Sequence, residues 1–408
     1  ELPTPWLTER HGYDPTCRLG GPGGEAPAAP DAGTPPAGEW RAAWISYIEL
    51  QGMDYTSAEA FRAGAAAMMD RCAGLGLNTV IVQVRPFGDA LYPSALFPWS
   101  HICTGVQGVS PGFDPLDILL TEAHSRGLSF EGWINPYRLQ ASASSPGTLA
   151  ADNLANTHPD WVAAAGGGLY LNPAIPEAAA YVVEGVAELV RTYPVDGVHF
   201  DDYFYPTTDP AIDAARFAAS GAADLAEWRR QNVTALVKAA HDAVKAADPT
   251  LRFGVSPQGN PDNDMSQQYS DVRGWLAAGS EDAVVDYLCP QLYWGYGYTL
   301  SNGSRRFAYE NILAEWLAMP RGSAALYVGL GAYRIGEGDG GSNGDSVSGW
   351  STGRALADQV GTLRAAGAGG YALYRYGSLF QNTVWPQLAE AECAALTAAN
   401  APDGGRAG

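Results

Sequence analysis

Between residues 39 and 400 the chain alternates short apolar runs with longer stretches of helical period, eight times over. The runs are 41–48, 79–86, 128–135, 197–203, 252–258, 286–294, 325–333 and 370–376. Each is rich in β-branched or aromatic residues and bounded by turn formers, the pattern of a strand. The stretches between them open with helix-start signals. Thr56 with Glu59 reads as a capping box, Asp114 followed by Pro115 as an N-cap with proline in the first turn, and Pro176 opens another helix. The longest helix is expected over about 222–247.

Eight β-then-α units predict an α/β fold closed as a (β/α)8 TIM barrel with long βα loops. A doubly wound open sheet is the alternative, but the units are even and no GxGxxG follows the first strand. Helix-to-strand links are tight ("GLGLN", "SRG", "ADPT"), whereas strand-to-helix links are long, at 87–113, 136–175, 204–220 and 335–351. A barrel that works at its strand C-termini has this asymmetry.

Alternation then sorts side chains between lumen and helix layer. Val80, Val82 and Val84 are expected to face the helices, which turns Gln83 and Arg85 inward. The same rule turns Glu131, Trp133 and Asn135, then His199 and Asp201, then Ser256 and Gln258, then Cys289, Gln291 and Tyr293 into the lumen. Tyr327 and Tyr333 share a face with glycines, and the first and last strands are ambiguous. The innermost residues at many strand ends are therefore polar. Tyr203, Tyr205, Trp294, Tyr333 and Tyr374 edge them. Hydrogen-bonding groups ringed by aromatic faces suit a carbohydrate.

Composition narrows the partners. The 408 residues are 46% hydrophobic and carry a formal net charge of −20. That argues against nucleic acid and against anionic membrane surfaces. No apolar run approaches the length of a membrane span, so no transmembrane segment is expected. Residue 1 is Glu rather than Met, which predicts a removed N-terminal segment. Residues 1–38 are rich in Pro, Gly and Ala and read as an arm or linker before a barrel at 39–400; 401–408 read as a flexible tail. The cysteines at 17, 72, 103, 289 and 393 show no metal spacing. At least three are expected as small core residues, with one bridge involving Cys17 possible in an exported chain. The run 337–345 fails the EF-hand pattern and reads as a mobile glycine-rich lid, so no metal is expected.

The stretch "PVDGVHFDDYFYP" (194–206) concentrates the chemistry. A buried strand ending in a histidine and two acids needs partners or a job for those charges. Asp201 is the first candidate for a catalytic carboxylate, against the alternative of an acid paired with Arg85. Asp202 has outward parity and reaches the cleft only if the strand ends beside it. Glycoside hydrolysis ordinarily uses two carboxyls, so Glu49 at the end of the first strand is a further catalytic candidate, and Glu131 a deeper one. A substrate N-acetyl group replacing the protein nucleophile is a third option. His199 is expected to orient Asp201.

Taken with "RAAWISYIE", "VRPFGDALYPS", "WINPYR", "FGVSPQG", "CPQLYW" and "GLGAYRI", this stretch resembles the glycosyl-hydrolase-like family ten. That group includes a divisome-localised glycosidase acting on peptide-stripped peptidoglycan strands. The resemblance spans roughly 39–395 and implies a cofactor-free barrel glycosidase of exported or lipid-anchored type. Arg85, Asp89, Tyr92, Asn135, Tyr137 and Arg138 match family motifs at loop bases, where they either contact sugar or fix the loops. Arg85 and Arg138 could pair with the lactyl carboxylate of muramic acid. With His199, Tyr203, Gln258, Gln291, Tyr293, Trp294 and Tyr333 they form the expected substrate-binding set. One departure stands out: chitinase-like strands of similar pattern carry Glu two residues after the Asp, where this chain has Tyr203. Rival readings are a hydrolase of another polysaccharide and a barrel that binds cell-wall glycan without cutting it.

Overall fold

The computed structural model describes residues 35–344 and 346–402. The expectations for the arm, for Cys17 and for most of the tail lie outside them. The strands are β1 (Trp40–Ile45), β2 (Thr79–Arg85), β3 (Ser129–Ile134), β4 (Gly197–Phe200), β5 (Arg252–Val255), β6 (Tyr287–Leu288), β7 (Ala325–Leu326), β8 (Val328–Gly331) and β9 (Gly370–Tyr374). All pair in parallel, in the order β7-β6-β5-β4-β3-β2-β1-β9-β8. The run at 325–333 is divided at Tyr327. Its first half pairs with β6 and its second with β9, so one run joins the two ends of the sheet. A parallel bridge from Gln291 to Gly329 closes the barrel at the mouth.

Each unit carries a helix outside: α1 (Ala58–Gly74), α2 (Pro115–His124), α3 (Pro176–Thr192), α4 (Leu225–Ala247), α5 (Val272–Ala277), α6 (Tyr309–Leu317), α7 (Ala355–Ala365) and α8 (Pro386–Asn400). Asp114 caps α2 by accepting from the backbone N–H of Leu116 and Asp117. At α1 the cap is Ser57, not Thr56, whose amide turns back to Asp54. The capping box expected there occurs instead at Ser46, ahead of a short helix at Tyr47–Gln51, and its acid is Glu49. The long link after β3 is not all loop: a three-stranded antiparallel sheet forms from Arg138–Gln140, Val162–Ala165 and Gly168–Leu171.

The apolar side chains form two layers. The larger lies between strands and helices and includes Val80, Val82, Phe130, Val198, Phe200, Phe253 and Val255. The smaller fills the lumen with Trp40, Trp44, Ile81, Trp133, Tyr287 and Cys289. The lumen floor is also polar. Arg252 lies over the rings of Trp40, Tyr287 and Tyr327, and its Nη1 is 3.8 Å from Glu131. Cys72, Cys103, Cys289 and Cys393 are free thiols, and the first three are buried. Among the described residues, no helix is long and apolar enough to cross a membrane.

Candidate active site

β4 ends at Phe200, and the chain leaves strand geometry at Asp201. Strict alternation therefore stops there, and both acids stand at the barrel mouth, at 3% and 6% exposure. Each has its own clamp. Asp201 Oδ2 accepts from the indole Nε1 of Trp133 (3.1 Å) and from the amide of Asn135 (2.5 Å), while its Oδ1 accepts from the Tyr203 backbone N–H (3.2 Å). Asn135 is itself held by Gln83, whose Oε1 accepts from the Tyr47 backbone N–H. Asp202 is bonded from the opposite flank of β4, by residues that follow β5 and β6: Gln291 donates to Oδ1 (2.9 Å) and Gln258 to Oδ2 (3.2 Å). Buried carboxyls need such donors, and every one of these comes from a strand end or the residues just beyond it.

Burial, then the charge of Asp202, pushes the Asp201 carboxyl up to about 7. Arg138, the Tyr203 amide and Trp133 pull the other way without cancelling that rise. Asp201 therefore still holds its proton in a large share of molecules near neutral pH. Beneath them, Asp264 is fully buried. Its Oδ1 accepts from the Gln258 backbone N–H (2.9 Å), and its Oδ2 has no partner among the described residues. Burial raises its pKa well above the usual range. It supports the backbone of a residue that bonds Asp202, and sequence alternation gave no sign of it.

Arg138 is the cation of the site. Its guanidinium lies 4.8 Å from the ring centre of Phe87, 5.6 Å from Tyr203 and 5.8 Å from Tyr47. Its Nε donates to the Pro86 carbonyl (3.0 Å). Its terminal nitrogens bond no described residue, although the side chain is only 6% exposed. Across the mouth, Tyr293 stacks on Tyr374 (5.5 Å), and Tyr333 meets both rings edge-on.

Several candidates lie elsewhere. Arg85 does not face the lumen. The β2–β3 register slips between Gln83 and Arg85, and one extra residue reverses the parity. Its guanidinium sits under the Phe97 ring at 3.8 Å and against α3, where a Cβ on Gly185 would lie 2.3 Å from Nη1. The Arg85–Asp201 pairing considered as an alternative does not form. His199 does not touch Asp201 either. It lies a layer deeper, with Trp44 and Ser256 at Nε2 (3.2 and 2.9 Å) and the Tyr287 hydroxyl at Nδ1 (2.8 Å). The Trp44 indole can only donate, so the His199 proton is on Nδ1. From there it donates to Tyr287, whose hydroxyl donates to Glu131. Burial lowers the His199 pKa to about 3, so the ring is a neutral scaffold group.

Glu49 closes its capping box with the Ser46 amide and gives its other oxygen to Arg375 and the Gly377 amide. It ties β1 to the end of β9 and has no oxygen left for the cleft. Glu131 is likewise bound on the floor by Tyr287 and Arg252. Asp89 is wholly buried in the loop after β2, bonded by Gln107 (2.9 Å) and His101 (3.3 Å). Tyr137 and Tyr205 are buried, and the Tyr205 hydroxyl accepts from Asn232 of α4, so neither edges the mouth. Trp294 stacks on Phe307 (5.0 Å) outside the Tyr293 cluster. The described part of the glycine-rich run, 337–344, is tied down at Asp339, where a mobile lid was expected. Asp339 accepts from Gly295 and Gly341 amides, the Ser346 hydroxyl and the Trp350 indole. Among the described residues no group of His, Cys, Asp and Glu is arranged to hold a metal ion.

Comparison with known proteins agrees with this architecture. The model of the glycosyl hydrolase-like 10 family matches residues 39–343. The chain belongs to that family. It is 38% identical over 323 residues to glycosyl hydrolase YngK of Bacillus subtilis (strain 168), covering 73% of this chain and 61% of that one. It is 36% identical over 299 residues to glycosyl hydrolase DigH of Escherichia coli (strain K12), covering 66% and 65%. The chain thus spans 61–65% of the length of these relatives. Among solved structures, the glycoside hydrolase domain of PgaB (BpsB) from Bordetella bronchiseptica aligns with TM-score 0.55 at 14% identity, covering 87% of this chain and 99% of that one. A β-galactosidase from Rahnella sp. R3 aligns with TM-score 0.56 at 13% identity, covering 93% and 58%. At such identities the likeness is one of fold.

Proposed function

We propose that this protein is a glycoside hydrolase that cuts the glycan strands of peptidoglycan after their peptides have been removed. Family membership and the paired carboxyls at the barrel mouth support the hydrolase. The observation that carries the substrate is Arg138, a cation held in an aromatic cage beside Asp201 with its terminal nitrogens unspent. A neutral sugar offers this group only uncharged oxygens, whereas the lactyl carboxylate of muramic acid matches its charge and its fork. One cation aimed at the bound chain also reconciles an acidic protein with an acidic glycan.

In this reading Asp201, protonated near neutral pH, donates its proton to the leaving oxygen as the glycosidic bond breaks; water then bonds to the anomeric carbon, and the proton it releases restores the acid. Asp202, with both oxygens bonded by amides, stands beside it as the carboxylate that stabilises the positive charge growing on the sugar. Tyr293, Tyr333 and Tyr374 offer ring faces and edges to the sugar at the cut.

The test is release of reducing ends from peptide-free strands, compared with strands whose muramic carboxyls are converted to amides. Cleavage that weakens on amidation, and weakens no further in Arg138→Met, supports the reading. Equal cleavage of both strands removes the muramic carboxyl and Arg138 from recognition, and cleavage of neither points to another polysaccharide. Binding without new reducing ends makes the barrel a glycan-binding protein.

A further inference from the structure

Trp385 is the only aromatic among the exposed large apolar residues described, at 38% exposure, beside Val384 at 68%. It lies between β9 and α8, and its neighbour Glu337 between β8 and α7, so both belong to the loops on the mouth face. The ring is fixed. Its Nε1 donates to Glu337 Oε1 (2.8 Å), and its backbone N–H donates to Asn382 (2.7 Å). A Cβ on Gly336 would stand 2.4, 2.5 and 2.7 Å from three atoms of the five-membered ring. Near-equal distances place that point over the ring face, so the indole is seated flat on Gly336. With φ of +74° and no side chain, only glycine provides this seat without strain. One face is therefore covered, and the exposure belongs to the other face and the edges.

A ring fixed on one face and open on the other is preorganised to stack on a partner, because little side-chain freedom is left to lose on binding. We propose that Trp385 is a stacking platform for a sugar unit of the bound chain outside the site of cleavage, so that long glycan strands are held better than short ones. The apolar C–H face of a pyranose fits an open indole, and burying that face removes both surfaces from water. Glu337 is exposed, and its Oε2, which bonds no described residue, is placed to accept from a sugar hydroxyl at the platform's edge. Arg138 follows β3 and Trp385 follows β9, so the two lie on different sides of the mouth. The carboxyls follow β4, next to β3, so a chain that runs from them to Trp385 spans the mouth from β4 toward β9. The family match ends at residue 343, so membership of the family does not assign this site.

The platform rests on the hydrolase reading above, and the experiment separates the two. Calorimetry on Asp201→Asn protein measures binding of long peptide-free strands and of their isolated disaccharide, with and without Trp385→Ala. The expected result is a loss of about tenfold or more in affinity for long strands, with the disaccharide unchanged. Trp385→Phe, which keeps a ring but not the indole N–H, recovers part of the loss, and melting temperatures show whether each variant is folded. Unchanged binding of long strands, or an equal loss for both ligands, overturns the platform and leaves the hydrolase reading in place. Asp201→Asn protein that binds no strand of either length overturns both.

Discussion

Asn135 donates its side-chain amide to Asp201 Oδ2 at 2.5 Å, and Gln83 holds that amide in place. A donor so placed favours the charged form of the acid, so removing it raises the Asp201 pKa further. Asn135→Ala is expected to lower kcat more than it raises KM, by about tenfold, and to move the alkaline limb of the pH–rate profile upward. A profile that does not move would make Asn135 a residue of the fold alone.

Arg85 and Arg138 differ by the bulge in β2. Arg85 is buried under the Phe97 ring with Tyr92, Tyr181 and Glu188 around it, and its Nε and Nη1 hydrogen-bond no described residue. Replacing such a charge with a residue of similar volume is often neutral or stabilising. Arg85→Met is expected to leave KM and kcat unchanged and the melting temperature unchanged or higher. Arg138→Met is expected to raise KM on peptide-free strands by about tenfold or more. Kinetics of the two variants side by side decide this, and a KM effect at Arg85 equal to that at Arg138 contradicts it.

Glu49 joins β1 to Arg375 and Gly377 across 326 and 328 residues of sequence. Breaking a buried pair leaves a charge uncompensated. Glu49→Gln is expected to cost about 3 kcal/mol of stability while turnover per folded molecule holds. Chemical denaturation with active-site titration measures both. Lost turnover in a stably folded Glu49→Gln protein would return Glu49 to the chemistry.

Asp201 gives stability a pH dependence of known sign. Burial raises its pKa from 3.8 to about 7. The folded state holds this proton more tightly than the unfolded chain, so the contribution is complete below the unfolded pKa and is lost as pH rises through about 7. Asp264, raised by burial as well, acts in the same direction. The drop in melting temperature between about pH 5 and about pH 8 is expected to be smaller in Asp201→Asn than in the parent. An identical drop would show that Asp201 ionises in the fold as it does in water.

The barrel is legible because hydrophobic periodicity repeats eight times, and the loop asymmetry marks the working face. Side-chain direction is legible only while alternation is unbroken. It holds through Phe130, Val198 and Phe253, and it fails at Arg85 because a bulge has no signature in "VIVQVRP". Parity also says nothing beyond a strand's last residue, which is why Asp202 needed the end of β4 at Phe200 to be placed. The pattern S-x-x-E at Ser46 is a local signal of a cap and could have diverted Glu49 from the candidate acids. No local signal exists for the pairing of Glu49 with Arg375, for Asn232 at the Tyr205 hydroxyl, or for Asp264 under Gln258. Those contacts depend on how distant elements pack.

The central claim is that Asp201 gives a proton to the reaction. Asp201→Asn keeps the size of the side chain and an oxygen to accept from Trp133 and Asn135, but it has no acid proton to transfer. The decisive measurement is reducing-end release from peptide-free peptidoglycan strands by folded Asp201→Asn protein near neutral pH, with binding of the same strands recorded beside it. The account predicts intact binding and a rate lower by at least about a hundredfold, near 3 kcal/mol of transition-state stabilisation. Turnover equal to the parent, in a protein that binds as well, would contradict it.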